Sequence, residues 1–321
     1  MREMRVTKND AGQRVDRFLQ KAVPLLPGSL AQKYIRLKRV KVNGKRTDQT
    51  YRLMEGDVLQ LYINDAFFHE KQAEQACLTL TRPNLSISYE DEHILIVIKP
   101  PGILCHSGNT PGEITLVDQI KAHLYQSGAW RPEEEQSFVP ALSNRLDRGT
   151  GGLVLAAKTA AALKMLNEKI RTGEVHKFYL LAVRGRPHPP AGRLEGYLQK
   201  EEKTRRVNIT EAGAQGAKSA LTLYRTLETR ENLSLVECQI ITGRTHQIRA
   251  QMAHLGTPIL GDRKYSGAIS GPGPKEPHQA LWAHRLRFAF TADAGPLAYL
   301  DGREFISGQI PFRMKYFDSR V

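Results

Sequence analysis

Nine consecutive residues, Asn144-Arg145-Leu146-Asp147-Arg148-Gly149-Thr150-Gly151-Gly152, gather the groups best suited to chemistry in this chain. A single carboxylate lies between two guanidinium groups, and the segment runs straight into the apolar stretch LVLAAK. A carboxylate in such a place can act as a nucleophile or as a base. The flanking Arg side chains suit an anionic substrate. The glycines let the backbone turn sharply and let a ligand come close, and the following strand would hold the loop on a rigid element. Taken alone, the segment reads first as a Gly-rich turn capped by Asp147. Its meaning depends on the rest of the chain.

The elements that must position this loop lie in two regions. In the first, Val15, Phe18, Leu19 and Val23 have helical spacing, which predicts a short amphipathic helix over 14–23 closed by Pro24 and Pro27-Gly28. Ser29 is placed to cap a second helix running to about Arg36, with Leu30, Tyr34 and Ile35 inward. Val40 and Val42 alternate with Lys41 as in a strand, Asn43-Gly44 is a hairpin turn signal, and Leu59 and Leu61 mark a last short strand. Residues 12–62 are therefore expected to form a small α/β domain, and 63–85, which lack a clear period, a linker.

From there to residue 318 the chain is strand-rich. Strands are predicted at 85–89, 94–98, 153–156, 178–183, 219–225 and 234–240, and helices at about 115–126 and 159–172. Their order is not a regular alternation. That predicts an α+β fold with a mixed, largely antiparallel sheet. No strand is followed by a Gly-rich phosphate loop of the dinucleotide or P-loop type.

The chain of 321 residues carries a net charge of +14, which favours a polyanionic partner. The excess is uneven: residues 1–62 hold 14 Lys/Arg against 6 Asp/Glu, while the remaining 259 hold 33 against 27. Lys33, Arg36, Lys38, Arg39, Lys41, Lys45 and Arg46 run from the second helix into the hairpin and are candidates for one positive, RNA-binding face. A solvated helix face is the plainer reading of such a run. No apolar run reaches the roughly 18–20 residues of a membrane helix, and MREMRVTKND lacks the apolar core of a signal peptide; the expectation is a cytoplasmic protein. Cys77, Cys105 and Cys238 form no C-x-x-C pair, so reduced thiols are expected. The histidines show no metal-ligand spacing, and no metal or cofactor is expected.

Several segments, in order, carry a resemblance. Residues 144–152 resemble the H-R-L-D-x-x-T-S-G signature of the pseudouridine synthases related to the ribosomal and transfer RNA enzymes. YEDEHILIVIKPPGILCHS (89–107), KFYLLAVRG (177–185), GRTHQIRAQMAHLGTPILGDRKY (243–265) and LWAHRLRF (281–288) resemble that family's other motifs. The basic run followed by VNG and a Gly56-Asp57 turn resembles the S-four domain, a small RNA-binding module.

The resemblance implies an isomerase that breaks a uridine's N1–C1′ bond, turns the uracil and joins C5 to C1′, acting on RNA and most closely on large-subunit ribosomal RNA. It implies Asp147 as the catalytic carboxylate. Attack on C1′, addition to the ring and removal of a ribose proton all remain open. It implies Arg249 as its basic partner and Tyr179 as the aromatic residue at the uracil. Arg145 would fill the gap left by a flipped base, or else contact a phosphate. Arg148, Arg244 and His246 are candidate phosphate contacts. Two positions depart from the pattern: Asn144 stands where the family usually has His, and Gly151 where it usually has Ser. The expectation is altered supporting contacts with activity retained. A non-catalytic RNA-binding assembly factor is the rival reading; such a protein has no need of Asp147, Tyr179 and Arg249 together. A DNA-binding regulator fits poorly, since no helix-turn-helix or zipper signal is present. The protein is expected to be a monomer that binds neither membrane nor DNA.

Overall fold

In the computed structural model the described residues are 1–68, 80, 82–108, 112–201, 204, 206–266 and 275–318. Most of the expected linker, and Cys77, lie outside them. Four hydrophobic clusters organise the described residues, one N-terminal and three built on a large sheet, and the N-terminal one shares no residue with the others.

The N-terminal unit contains helices α1 (Val15–Ala22) and α2 (Gly28–Arg36) packed on a four-stranded sheet. Its strands are β1 (Arg2–Arg5), β2 (Val40–Val42), β3 (Lys45–Arg46) and β4 (Val58–Leu61), in the order β1-β4-β2-β3. Val15, Phe18, Leu19, Val40, Leu59 and Leu61 are fully buried, as the two periodicities predict. Asn43 and Gly44 both take positive φ (50° and 75°), as a two-residue hairpin turn between β2 and β3 requires.

Three features differ from expectation. Strand β1 adds an edge to the sheet through β4; its sequence, REMR, carries no apolar alternation to announce it. Helix α2 is capped at Pro27, whose carbonyl accepts from Ala31 N at 2.9 Å, so Ser29 lies inside the first turn with no capping bond. Ile63, Phe67 and Phe68, expected in the linker, pack on the N-terminal core.

The larger sheet has the strand order β11-β10-β12-β13-β9-β14-β8-β6-β5. Its strands are β5 (Ser86–Glu90), β6 (Ile94–Lys99), β8 (Gly151–Ala157), β9 (Val175–Arg184), β10 (Ala191–Glu201), β11 (Arg206–Thr210), β12 (Lys218–Arg230), β13 (Leu233–Ile240) and β14 (Leu281–Phe288). Short strands β7 (Ala141–Leu142) and β15 (Glu304–Ile306) pair with β8 and β14. Every pairing is antiparallel except β8 with β14. The expected mixed, largely antiparallel α+β fold is therefore found.

Helix α3 (Leu116–Gln126) opens with a reciprocal capping box between Thr115 and Asp118. Helix α4 (Ala160–Arg171) is capped by Thr159. Helix α5 (Gln247–His254) is buried along much of its length. All of β8 is buried, which makes it a firm support for the loop immediately before it.

Polar contacts join the two units. Asp10, wholly buried, accepts from Ser137 N (3.1 Å) and Ser137 Oγ (2.6 Å), and Gln13 Nε2 donates to Ser137 Oγ at 2.8 Å. Asn9 Oδ1 accepts from Ala160 N at 3.3 Å.

Candidate active site

The 144–152 loop is tied down on both sides. Asn144 Oδ1 accepts from Leu155 N at 2.8 Å, stitching the loop to β8. Cys105 Sγ accepts from Leu146 N at 3.3 Å and donates to Leu146 O at 3.4 Å. Asp147 O accepts from Thr150 N (3.1 Å), and the Thr150 hydroxyl accepts from Gln279 at 3.0 Å. Beneath the loop lies Lys99, with no exposed surface; its ammonium donates to the carbonyls of Pro100 (3.0 Å), Ile103 (2.9 Å) and Arg148 (3.1 Å). Burial pushes the Lys99 pKa down to about 8, against the opposing pull of Cys105 and Asp147.

Glycine is required at two of the loop's positions. Gly152 has φ of 114°, and a Cβ there would strike the Ala283 backbone. A Cβ at Gly151 would collide with the Trp282 ring. The departure at Gly151 thus has a steric cause: Trp282 fills the space a Ser side chain would need.

The Asp147 side chain, 29% exposed, faces a cavity of about 1070 Å³ whose walls include Tyr179, Lys177, His246 and Arg249. Arg249 Nη1 donates to Asp147 Oδ2 at 2.7 Å. The same guanidinium donates through Nε and Nη2 to Asp262 at 2.7 and 2.9 Å. Arg249 is buried on α5 and turned inward, not a surface residue of the helix. Its own pKa is raised: the paired carboxylates outweigh its burial. Tyr179, on β9, is buried at the cavity floor. Burial first, then the nearby Asp147 charge, raises its hydroxyl pKa, so the phenol is protonated at rest.

His246, a candidate phosphate contact from the sequence, is already engaged on both ring nitrogens' sides in this structure. Its Nδ1 lies 2.9 Å from the Tyr265 hydroxyl, and its Nε2 lies 3.7 Å from Asp147 Oδ2. Burial lowers its pKa to about 4 despite Asp147, so the ring is neutral near pH 7 and brings no charge to a phosphate. The Tyr265 hydroxyl already accepts from Val207 N at 2.8 Å, which leaves its proton for His246 Nδ1.

Arg148 is bonded to Glu113 at 2.8 Å, and Arg244 Nε donates to Ser219 O at 2.9 Å; both remain partly exposed at the rim with Arg145. Of the seven cationic residues on α2 and the hairpin, Lys41 is half-buried and the other six are exposed. They form no ion pair with any described carboxylate. Arg39 lies over the Tyr34 ring and Lys41 over Tyr62. Asp262, Tyr265, Lys99 and Cys105 carry no assignment from sequence. The GDRKY stretch is the one signal for the first two.

The profile of the family described as RNA pseudouridylate synthase matches residues 93–254, and the S4 domain profile matches residues 13–59. The chain is 32% identical over 294 residues to ribosomal large subunit pseudouridine synthase C of Escherichia coli strain K12, covering 88% of this chain and 87% of that protein. The chain belongs to the RNA pseudouridylate synthase family. An uncharacterised RNA pseudouridine synthase of Mycoplasma genitalium is 31% identical over 288 residues, covering 88% of each chain. The solved structure of human RNA pseudouridylate synthase domain containing 4 shares the fold, with a TM-score of 0.54, 22% identity and coverage of 75% of this chain and 94% of that one. This pseudouridine synthase is therefore an isomerase acting on RNA, with an S4 domain at its N-terminal end. Among the described residues no helix is long and apolar enough to cross a membrane.

Proposed function

We propose that this enzyme converts specific uridines of large-subunit ribosomal RNA to pseudouridine in the cytoplasm, with Asp147 as the catalytic carboxylate. The observation that carries the assignment is the 2.7 Å pair between Asp147 and Arg249 at the wall of a cavity floored by Tyr179. The resemblance of most of the chain to a ribosomal large-subunit enzyme supports the substrate class. The chain acts alone, without metal or cofactor.

The target uridine leaves its stack and enters the cavity, at the energetic cost of unstacking. Arg145, exposed at the rim, takes the vacated place. Arg249 orients Asp147 through a charge-assisted bond. Asp147 then acts at C1′, at the ring or on a ribose proton. The N1–C1′ bond breaks, the uracil turns, C5 bonds to C1′, and the C5 proton leaves while N1 takes one up. Tyr179 packs against the uracil, and its hydroxyl assists that last proton removal. Rim residues Arg148 and Arg244 meet phosphates, while the S4 cations from Lys33 to Arg46 grip flanking RNA. Residues 12–62 serve as the RNA-binding domain and 86–318 as the catalytic domain, joined through 63–85.

The test is tritium release from ribosomal RNA labelled at uracil C5. Asp147→Asn is expected to abolish release while RNA affinity stays within about twofold, since phosphate contacts supply most of the affinity. Substantial turnover by the variant refutes the assignment. Pseudouridine maps of ribosomal RNA from cells with and without the gene identify the target positions; identical maps refute the substrate class.

A further inference from the structure

We infer that Asp262 is a positioning residue of the isomerisation, acting on Asp147 through Arg249; the inference rests on the reading just given. Asp262 is 1% exposed, and both of its carboxylate oxygens face the same guanidinium. They take the Nε and Nη2 edge of Arg249 at 2.7 and 2.9 Å. A two-point contact to a planar fork fixes the plane as well as the position. Only Nη1 is left to reach Asp147, at 2.7 Å.

Asp262 is itself held. Oδ1 also accepts from Lys264 N at 3.0 Å and Tyr265 N at 3.3 Å. The preceding Gly261 has φ of 78°, and a Cβ there would strike the His278 carbonyl, so the chain can take this path only with glycine. The Tyr265 ring closes the other side, with the Arg249 guanidinium carbon 5.1 Å from its centroid. The carboxylate is thus presented from a seated turn, and Arg249 has no freedom to pivot.

The charge balance gives Asp262 a second effect. Asp147, Arg249 and Asp262 sum to one negative charge, and the neighbouring His246 is neutral. Without Asp262 the pair Asp147–Arg249 would be neutral overall, and the full guanidinium charge would bear on Asp147 alone. That would make Asp147 a weaker nucleophile and a weaker base. Asp262 takes up part of that charge, so Arg249 orients Asp147 without disabling it. An Asn at 262 keeps the size and one acceptor, but turns a donor toward the Arg249 Nε–H.

The experiment measures single-turnover tritium release at saturating RNA, together with RNA affinity, for the full-length wild type, Asp262→Asn, Arg249→Met and the double variant. Asp262→Asn is expected to slow release on the order of 100-fold, the loss typical of a displaced catalytic group. Its RNA affinity is expected to stay within about twofold, so the loss falls on the rate at saturating RNA and not on binding. In the Arg249→Met background, Asp262→Asn is expected to change the rate by less than about threefold, because the two act as a unit. A wild-type rate for Asp262→Asn overturns the inference, and so does a further large loss in the double variant. Should Asp262→Asn not fold, the smaller Asp262→Ser takes its place under the same two expectations, and a wild-type rate for that folded variant overturns the inference. A wild type that releases no tritium from any RNA overturns the proposed function instead.

Discussion

Replacing Lys99 by Met keeps a long unbranched side chain and removes only the ammonium. Its three bonds to carbonyls, those of Pro100, Ile103 and Arg148, disappear. Hydrogen bonds to a charged group contribute roughly 1.5–3 kcal/mol each, so the gross loss is about 5–9 kcal/mol. Against this, the buried charge carries a cost. The fall of its pKa from 10.5 to about 8 corresponds to about 3 kcal/mol of desolvation that Met does not incur. The net expectation is a destabilisation of about 2–6 kcal/mol, read by urea denaturation with unchanged slope. Since Arg148 O follows Asp147, turnover is expected to fall more than RNA affinity. The pH dependence has a definite sign. Between pH 8 and 10.5 the unfolded chain keeps the Lys99 proton that the folded chain has given up. The unfolded state binds more protons, so the wild type gains stability as pH rises through this window, and Lys99→Met lacks that gain. A stability difference between the two proteins that is flat from about pH 8 to 10.5, or smaller than about 1 kcal/mol at pH 7, refutes this account of the loop's support.

Tyr179→Phe keeps the ring and removes the hydroxyl, so it is expected to lower single-turnover rate by at least about tenfold with affinity unchanged; wild-type turnover would leave Tyr179 as a stacking surface only. Neutralising Lys38, Arg39, Lys45 and Arg46 to Gln is expected to raise the dissociation constant and flatten the salt dependence, by about 0.7–0.9 in log–log slope for each phosphate that the variant no longer neutralises. An unchanged slope would remove the S4 face from RNA binding. Gly151→Ser is expected to destabilise by about 1–3 kcal/mol through overpacking against Trp282, measured by the denaturation midpoint. A neutral effect would mean that the ring moves aside freely.

What is legible in the sequence divides along physical lines. Strands β6, β8, β9 and β13 show because apolar runs and alternation reflect burial, and ILIVIK and LVLAA are buried almost throughout. The β10–β11 hairpin does not show. It lies at the sheet's far edge with Leu198 and Val207 its two buried positions; β11 alternates over only five residues, and the inner face of β10 carries Gly192 and Gly196 beside its leucines, so the apolar signal is weak. The candidate site is legible where it sits in one continuous segment, as with Asp147, or in motif order, as with Tyr179 and Arg249, which the structure brings to one cavity. Asp262 stands in the GDRKY stretch, yet nothing local separates an Asp in a turn from one that clamps a guanidinium on another element. His246 shows the same limit: a His beside basic residues reads as a phosphate contact, and nothing local announces its bond to Tyr265 or the burial that lowers its pKa further.

The two departures from the family pattern bear on how the loop is seated. Asn144 sends its amide oxygen to Leu155 N and its nitrogen, at 3.4 Å, to Leu153 O, so it bonds to alternate residues of β8 and fixes where the loop leaves the sheet. Gly151 yields its side-chain space to Trp282, whose Nε1 donates to Ser307 at 2.9 Å. Trp282 is therefore locked from its far side and cannot withdraw to admit a larger residue at 151. Each departure is matched by a partner that this chain supplies, and neither touches the bonds among Asp147, Arg249 and Asp262. The contacts of Asp147 run to α5 and, through Arg249, to the Gly261–Asp262 turn, while the unusual residues act where the loop joins β8, so the arrangement of the candidate site does not depend on them.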